Sequence, residues 1–456
     1  MNRPLSVYPL LCLISLVLVA SPYSSDAAPA YGLNSLPTNR PISIGYLNAL
    51  RNATGQATSY SPSEIVTEID GLNWSGYDAV VHAFAEPVAD GTIGEGLGNF
   101  AAYQSALLSS AHAHGKSVIM SIGGAFPARL ANQFSTIAAS SSLRQTFSQN
   151  IVSYLQAHGY DGVDIDWEFP DVRGNMTLLM QDIYAAVKAA NSNYIVMFAT
   201  GPGYWLGSYD FSALNSNTDL YFYFGYDWKN PANGPMTNPG SIQYTSAGDQ
   251  LPEASVRGGI QYVLNQGFPA AKIICGLPFY GSQDTSWSAV RNTWAADQAG
   301  YLAAIIATYM EVEINSEYFT SPDCIKKKME AVLKPSATVL NNQVILRGIG
   351  CWEIGHEYRL NPDLSTAFAQ WLAAYPGISP GPSIVRQPAT GGGTQAQLSF
   401  TGFSNTTYHV QYAGSLTSPI TWMTMPSPVT SNGQGQFQVV DPPTLPPQRY
   451  YRAVYP

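Results

Sequence analysis

The residue types best suited to chemistry are concentrated in one stretch, Tyr160-Asp-Gly-Val-Asp-Ile-Asp-Trp-Glu-Phe-Pro170. In a strand, side chains two positions apart share a face at a spacing of about 6–7 Å, so Asp164, Asp166 and Glu168 line one side. Val163, Ile165 and Trp167 turn to the other. Three carboxyls in a row on a strand with an apolar reverse face cannot all ionise cheaply, and at least one proton is held above the ordinary carboxylate range. That makes a general acid near neutral pH, with Glu168, the last of the three, placed to act. Asp161 is out of step with this spacing and reads as structural, at the start of the strand. Two other readings are an exposed acidic edge and a metal site. The apolar residues between the acids weigh against the first. Against the second, His82, His112, His114, His158, His356 and His409 have no ligand spacing, and hard cations usually sit in turns. No metal and no cofactor is expected.

An acidic strand of this kind needs a scaffold that buries it. From about residue 41 short apolar runs recur at 42–47, 79–85, 117–123, 162–168, 194–199, 220–226, 272–277 and 346–352. Between them lie amphipathic stripes such as Leu143, Phe147, Ile151 and Leu155, which stop at His158-Gly159; Leu179, Ile183 and Val187; and Val256, Ile260, Val263 and Leu264. Eight strands with little polar alternation, each followed by a helix, predict an α/β fold, a closed (β/α)8 TIM barrel, with an open doubly wound sheet as the alternative. In the barrel the acids point inward, and Glu168 sits at the C-terminal strand end where such folds place catalysis. Gly123 and Gly124 are expected to let backbone approach the acidic strand closely, and Gly124 is also a candidate substrate contact. Gly94-Glu-Gly-Leu-Gly98 is discarded as a phosphate loop, because Asn99 breaks the pattern and no P-loop lysine follows.

The chain has 456 residues with only 11% charged, against about 25% in an average soluble domain. Its net charge of -9 excludes a nucleic-acid partner, since it would be repelled by a phosphate backbone. The aromatic content, 29 Tyr, 17 Phe and 9 Trp, suits a neutral ligand such as carbohydrate, although most aromatics in any protein are core. Arg3 followed by an apolar run over 5–20 and Ala28-Pro29-Ala30 read as a signal peptide over 1–30, hence a secreted, extracellular protein with no membrane segment after its removal. Cys275, Cys324 and Cys351 remain, an odd number in strand-like or helical surroundings, and read as buried thiols. The catalytic unit is assigned to 31–376, a Pro- and Gly-rich linker to 377–393, and a small β-sandwich resembling fibronectin type III modules to 394–456. A monomer is expected.

The segment Asp161-Gly-Val-Asp-Ile-Asp-Trp-Glu168 resembles the signature of glycoside hydrolase family 18, the chitinases and their relatives. Ser121-Ile-Gly-Gly124, Tyr226-Asp227, Leu277-Pro-Phe-Tyr-Gly281 and Gly350-Cys-Trp352 resemble further motifs of that family, and the likeness runs over about 41–375. The resemblance implies a barrel that binds chitin or N-acetylglucosamine oligosaccharides and hydrolyses them through the substrate's own 2-acetamido group, with retention. By that resemblance Glu168 is the acid and Asp166 orients the acetamide. Asp164 shares a proton with Asp166, and Tyr226 holds the acetamide oxygen. It further implies that Asp227 contacts the sugar, that Trp352 floors its subsite, and that Tyr46, Phe84 and Tyr280 wall the cleft.

Phe224-Gly225, Ala125 and Ser282 depart from the family pattern, in which Met with a small residue, Trp and Arg are common. The stretch 282–345 looks too short for a full α+β insertion once a helix over 324–333 is allowed for, which predicts a shallow, open groove and endo cleavage. Trp205, Trp228, Trp287 and Trp294 are candidate sugar platforms near the catalytic face. In the tail, Trp422 and the pair Tyr450-Tyr451 are alternatives for chitin contact, with core packing the preferred reading. Two further functions stay open: a chitin-binding lectin that does not cleave, and an endo-β-N-acetylglucosaminidase acting on N-glycans.

Overall fold

The computed structural model describes residues 31–375 apart from 51–57, 97, 230, 335–344, 358 and 359, and further on 383–388, 394–401, 407–415, 422–430, 432, 436–441 and 449–454. The segment read as a signal peptide lies outside the described residues. Eight parallel strands form the body: β1 (Ile42–Leu47), β2 (Ala79–Pro87), β3 (Ser117–Gly123), β4 (Gly162–Asp166), β5 (Ile195–Thr200), β6 (Leu220–Phe224), β7 (Ile273–Pro278) and β8 (Gly348–Trp352). Each pairs with its neighbour in chain order, and β1 pairs with both β2 and β8, which closes the barrel. The open doubly wound alternative is thereby excluded.

The strands are buried on both faces because two separate cores need them. Val163, Ile165 and Trp167 belong to the outer core, where Trp167 stacks on Phe134 at 5.4 Å and Phe147 and Ile151 come from the helix Ser141–His158. Ile44, Tyr46, Ile119, Met197, Phe222 and Ile274 fill the inside of the barrel. Alternation along β4 therefore sends its aspartates inward, as the spacing predicts. The helix Ser141–His158 begins where the Ser140 side chain accepts the N–H of Leu143, and ends on Gly159 at φ 82°, a left-handed stop.

Strand ends differ from expectation at the places that matter for chemistry. β4 stops at Asp166 rather than 168 and β6 at Phe224 rather than 226, so Glu168, Tyr226 and Asp227 all stand beyond the sheet. The cause on one side is Gly123, at φ 123°, whose missing Cβ would lie 2.1 Å from the Asp166 carbonyl oxygen. Gly124 then donates its N–H to that same oxygen at 2.8 Å in place of a ladder bond.

Between β7 and β8 the chain builds more than one helix. Helices Trp287–Ala296 and Gln298–Ala303 and a hairpin of Val312–Ile314 with Glu317–Phe319 precede helix Pro322–Leu333. This small insert needs a core of its own. Trp287 and Trp294, expected as sugar platforms, supply it: they are 1% and 5% exposed, 5.4 Å apart, with Phe319 against Trp287. The three thiols of Cys275, Cys324 and Cys351 are free and buried.

The tail is β-rich. The stretch read as linker contains the strand Ser383–Pro388, paired antiparallel with Thr394–Thr401; its Pro and Gly content hid the short β-branched run Ile384-Val385. Phe400 and Tyr408 both stack on Phe437, and Tyr451 donates to Asp441. Among the described residues no helix is long and apolar enough to cross a membrane.

Candidate active site

Asp164 sits at the bottom of the site with no exposed surface. Its Oδ2 accepts from the Tyr46 hydroxyl at 2.8 Å and from Ser121 Oγ at 2.7 Å. Burial pushes its carboxyl up to about 6, and those two bonds hold it back from going further. Asp166, one rung higher, is held well above the usual range, first by burial and then by the charges of Glu168 and Asp164. Oδ1 of each aspartate is buried and has no protein hydrogen-bond partner. Two such carboxyls cannot both be ionised at neutral pH without large cost, so a proton resides on the pair.

Glu168 is partly exposed at the mouth of a cavity of about 500 Å³. Its carboxyl is pushed up to about 8, first by burial and then by the charge of Asp227 across the opening. The carboxyl therefore carries its proton at neutral pH. Trp167, just before it, is anchored by Tyr209, whose hydroxyl donates to the Trp167 carbonyl at 2.8 Å.

The cavity is walled by Tyr226, Asp227, Trp352 and Phe84, with Asp166 and Glu168 reaching into it. Trp352 and Phe84 are stacked at 5.6 Å, and Tyr226 lies flat on Phe224 at 4.9 Å. Asp227 adopts φ 62° and its Oδ1 accepts from the Tyr280 hydroxyl at 2.7 Å. A second recess of about 260 Å³ shares Glu168, Phe224 and Asp227 with the first, and is bordered by Trp228, Trp205, Phe169 and Gln243. Trp205 is 40% exposed and stacks on Phe169 at 4.1 Å. The two recesses meet at Glu168.

Three expected contact residues stand behind the cavity rather than in its wall. Tyr46 is fully buried inside the barrel and serves Asp164, because the alternation of β1 turns it inward beneath Trp352. Tyr280 is 5% exposed and acts on Asp227. Gly124 leaves room for the Phe84 ring, which a Cβ there would meet at 2.9 Å. Asp161 accepts from the Val118 N–H at 2.7 Å and pairs with His112 at 2.8 Å, tying β4 to β3 and a helix.

Other residues come to the site unannounced. Asn48, Asn99, Ala125 and Phe126 line the first cavity, and Phe126 is 83% exposed. Asn99 follows the glycine run discarded as a phosphate loop, and Phe126 follows the departure at Ala125; the departures themselves were the available signal. Among the described residues no group of three or more His, Cys, Asp or Glu side chains could hold a metal ion.

Residues 52–357 match the model of the glycosyl hydrolases family 18. Chitinase 1 of Aphanocladium album is 30% identical over 175 residues, which is 36% of this chain and 40% of that protein. The chain spans well under half the length of the curated relatives it matches first. In three dimensions, a chitinase-like agglutinin from Robinia pseudoacacia superposes with a TM-score of 0.55 at 20% identity, covering 72% of this chain and 99% of that one. A class V chitinase from Nicotiana tobaccum in complex with NAG4 gives 0.56 at 16% identity, covering 73% and 99%. At these identities the two structures speak to the fold.

Proposed function

The chain belongs to the glycosyl hydrolases family 18, and from that membership we propose that it hydrolyses β-1,4-linked N-acetylglucosamine in chitin and its oligosaccharides, with retention. The observation that carries this reading is the place of Glu168 at the meeting point of two recesses, above a buried aspartate pair, where burial pushes its carboxyl up to about 8. Glu168 gives its proton to the glycosidic oxygen as the bond to C1 breaks. A retaining glycosidase of the usual kind needs a second carboxylate as nucleophile about 5–5.5 Å away, whereas this family is an exception in which the substrate supplies the nucleophile. Asp166 lies beside the acid and shares its pair's proton, which suits it to accept the acetamide N–H and to offset positive charge at the sugar. Tyr226 on the adjacent wall donates to the acetamide oxygen and holds it facing C1, a positioning effect. The acetamide oxygen closes on C1 to an oxazolinium ion. Water, deprotonated by the now ionised Glu168, opens it.

The stacked Trp352 and Phe84 provide an apolar floor for one sugar, and the recess beside Trp205 and Trp228 receives the sugar on the leaving side. Recesses on both sides of the acid favour cleavage within a chain. Export by the segment over 1–30 would bring the enzyme to an extracellular polysaccharide, and a monomer suffices, since all site residues come from one barrel.

The test is incubation of wild type and Glu168→Gln with N-acetylglucosamine oligomers, chitin and a high-mannose glycoprotein. Release from the oligomers and chitin by the wild type, lowered by on the order of 10³-fold in the variant, is the expected result. Binding to chitin with no release by the wild type would make it a lectin instead, and release from glycoprotein only would make it an endo-β-N-acetylglucosaminidase.

A further inference from the structure

A network outside the cavity reaches the site from behind. Asn233 is fully buried, and its side chain makes three bonds. Oδ1 accepts the Asp227 N–H at 2.9 Å, while Nδ2 donates to the carbonyls of Tyr280 and Gly281 at 3.1 and 3.2 Å. Its backbone carbonyl accepts the Trp228 N–H at 2.9 Å. One amide thus ties the segment after β6, which carries Asp227, to the segment after β7, which carries the tyrosine that bonds the Asp227 carboxylate.

Asn233 is fixed in its turn. Glu311 accepts the N–H of Asn233 at 3.0 Å and that of Gly234 at 2.7 Å. Lys328 donates to Glu311 at 2.8 Å, to the Gly234 carbonyl at 2.7 Å and to Thr320 at 2.9 Å, and neither charged side chain has exposed surface. A Cβ on Gly234 would stand 2.2 Å from the Gly225 carbonyl oxygen, so this loop lies directly on the end of β6.

Asp227 needs a hold of this kind. A non-glycine residue at φ 62° adopts a conformation that L side chains disfavour, and its carboxylate projects into the opening between the two recesses. We propose that Asn233 is a positioning residue for hydrolysis: its amide holds Asp227 in the left-handed conformation and keeps Tyr280 against the Asp227 carboxylate, with the Glu311–Lys328 pair as its anchor. An amide is suited to this because one group supplies both the acceptor for Asp227 and the donors for Tyr280 and Gly281. The inference rests on the proposed hydrolysis.

A double-mutant cycle on Asn233→Ala and Asp227→Ala, read on N-acetylglucosamine oligomers, tests it. Asn233→Ala alone is expected to lower kcat on the order of 10-fold to 100-fold with little change in KM. It also moves the basic limb of the pH profile to lower pH. Glu168 is faced by Asp166 from β4, by Tyr209, and by Tyr226 and Asp227, whose Oδ1 also lies 3.7 Å from Lys229 Nζ, and of these Asp227 is the one released. In the Asp227→Ala background the further loss is expected to be below about twofold, the mark of two residues acting as one. The same loss in both backgrounds, with an unmoved pH limb, would overturn the inference while leaving the hydrolase intact. If Asn233→Ala does not fold, Asn233→Ser runs the same cycle under the same two outcomes. A wild type that cleaves no oligomer overturns the proposed function and this inference together.

Discussion

Two clusters of buried charge lie in one barrel and are built on opposite plans. Glu311 is fully buried and accepts from two backbone N–H groups, the Lys328 ammonium and the Thr320 hydroxyl. Asp166 is nearly as buried, yet one of its oxygens has no protein partner, and among the described residues no cation offsets it or Asp164. A buried carboxylate supplied with donors and a counter-ion stays charged and holds the chain together. A buried carboxyl denied them keeps a proton and can hand it on. What separates scaffold from chemistry here is therefore how fully each carboxyl is satisfied, since both are buried.

Breaking the satisfied cluster should cost stability above all. Lys328→Met leaves Glu311 buried and unpaired and is expected to destabilise by about 3–5 kcal/mol, read as a lowered denaturant midpoint. A midpoint equal to wild type would mean that the pair is replaceable. Altering the unsatisfied cluster should instead cost activity. Tyr46→Phe removes one of the two bonds that restrain Asp164, so its carboxyl rises further. The acidic limb of the kcat profile should move to higher pH and kcat should fall by about tenfold, with the unfolding free energy within about 1 kcal/mol of wild type. An unmoved limb would remove Tyr46 from the proton network.

The smallest expected effect is on thermal stability. Glu168 holds its proton more tightly folded than unfolded, so the folded state binds more protons over this range. Stability is then full below the unfolded pKa, near 4.3, and declines as pH rises towards about 8. Glu168→Gln removes that decline. Its Tm should match wild type at pH 4 and exceed it by a few degrees at pH 9, measured by calorimetry. A Tm gap independent of pH would contradict a perturbed Glu168.

Much of this was legible because burial leaves a plain mark on composition. Apolar runs such as 42–47 and 117–123 name barrel strands residue for residue, since strands covered on both faces tolerate little else. The two-residue spacing of Asp164, Asp166 and Glu168 on an otherwise apolar strand marks the chemistry. What stayed hidden depends on direction and partnership. Tyr46 and Tyr280 are aromatic in any reading, and only the fold reveals that their hydroxyls serve aspartates from behind the wall. Trp287 and Trp294 look like platforms in a loop until the insert is seen to need a core. Asn233, Glu311 and Lys328 are 17 residues or more apart in sequence except through contacts that no local pattern records.

The central claim is that Glu168 is a proton donor because burial and the neighbouring Asp227 charge keep it protonated at neutral pH. The pH dependence of kcat/KM on a soluble N-acetylglucosamine oligomer tests it directly, because that profile reports the essential acid in the free enzyme. The expected result is a bell whose basic limb falls near pH 8 and moves to lower pH in Asp227→Asn. A basic limb in the ordinary glutamate range near pH 4–5, or one that Asp227→Asn leaves in place, would contradict the account.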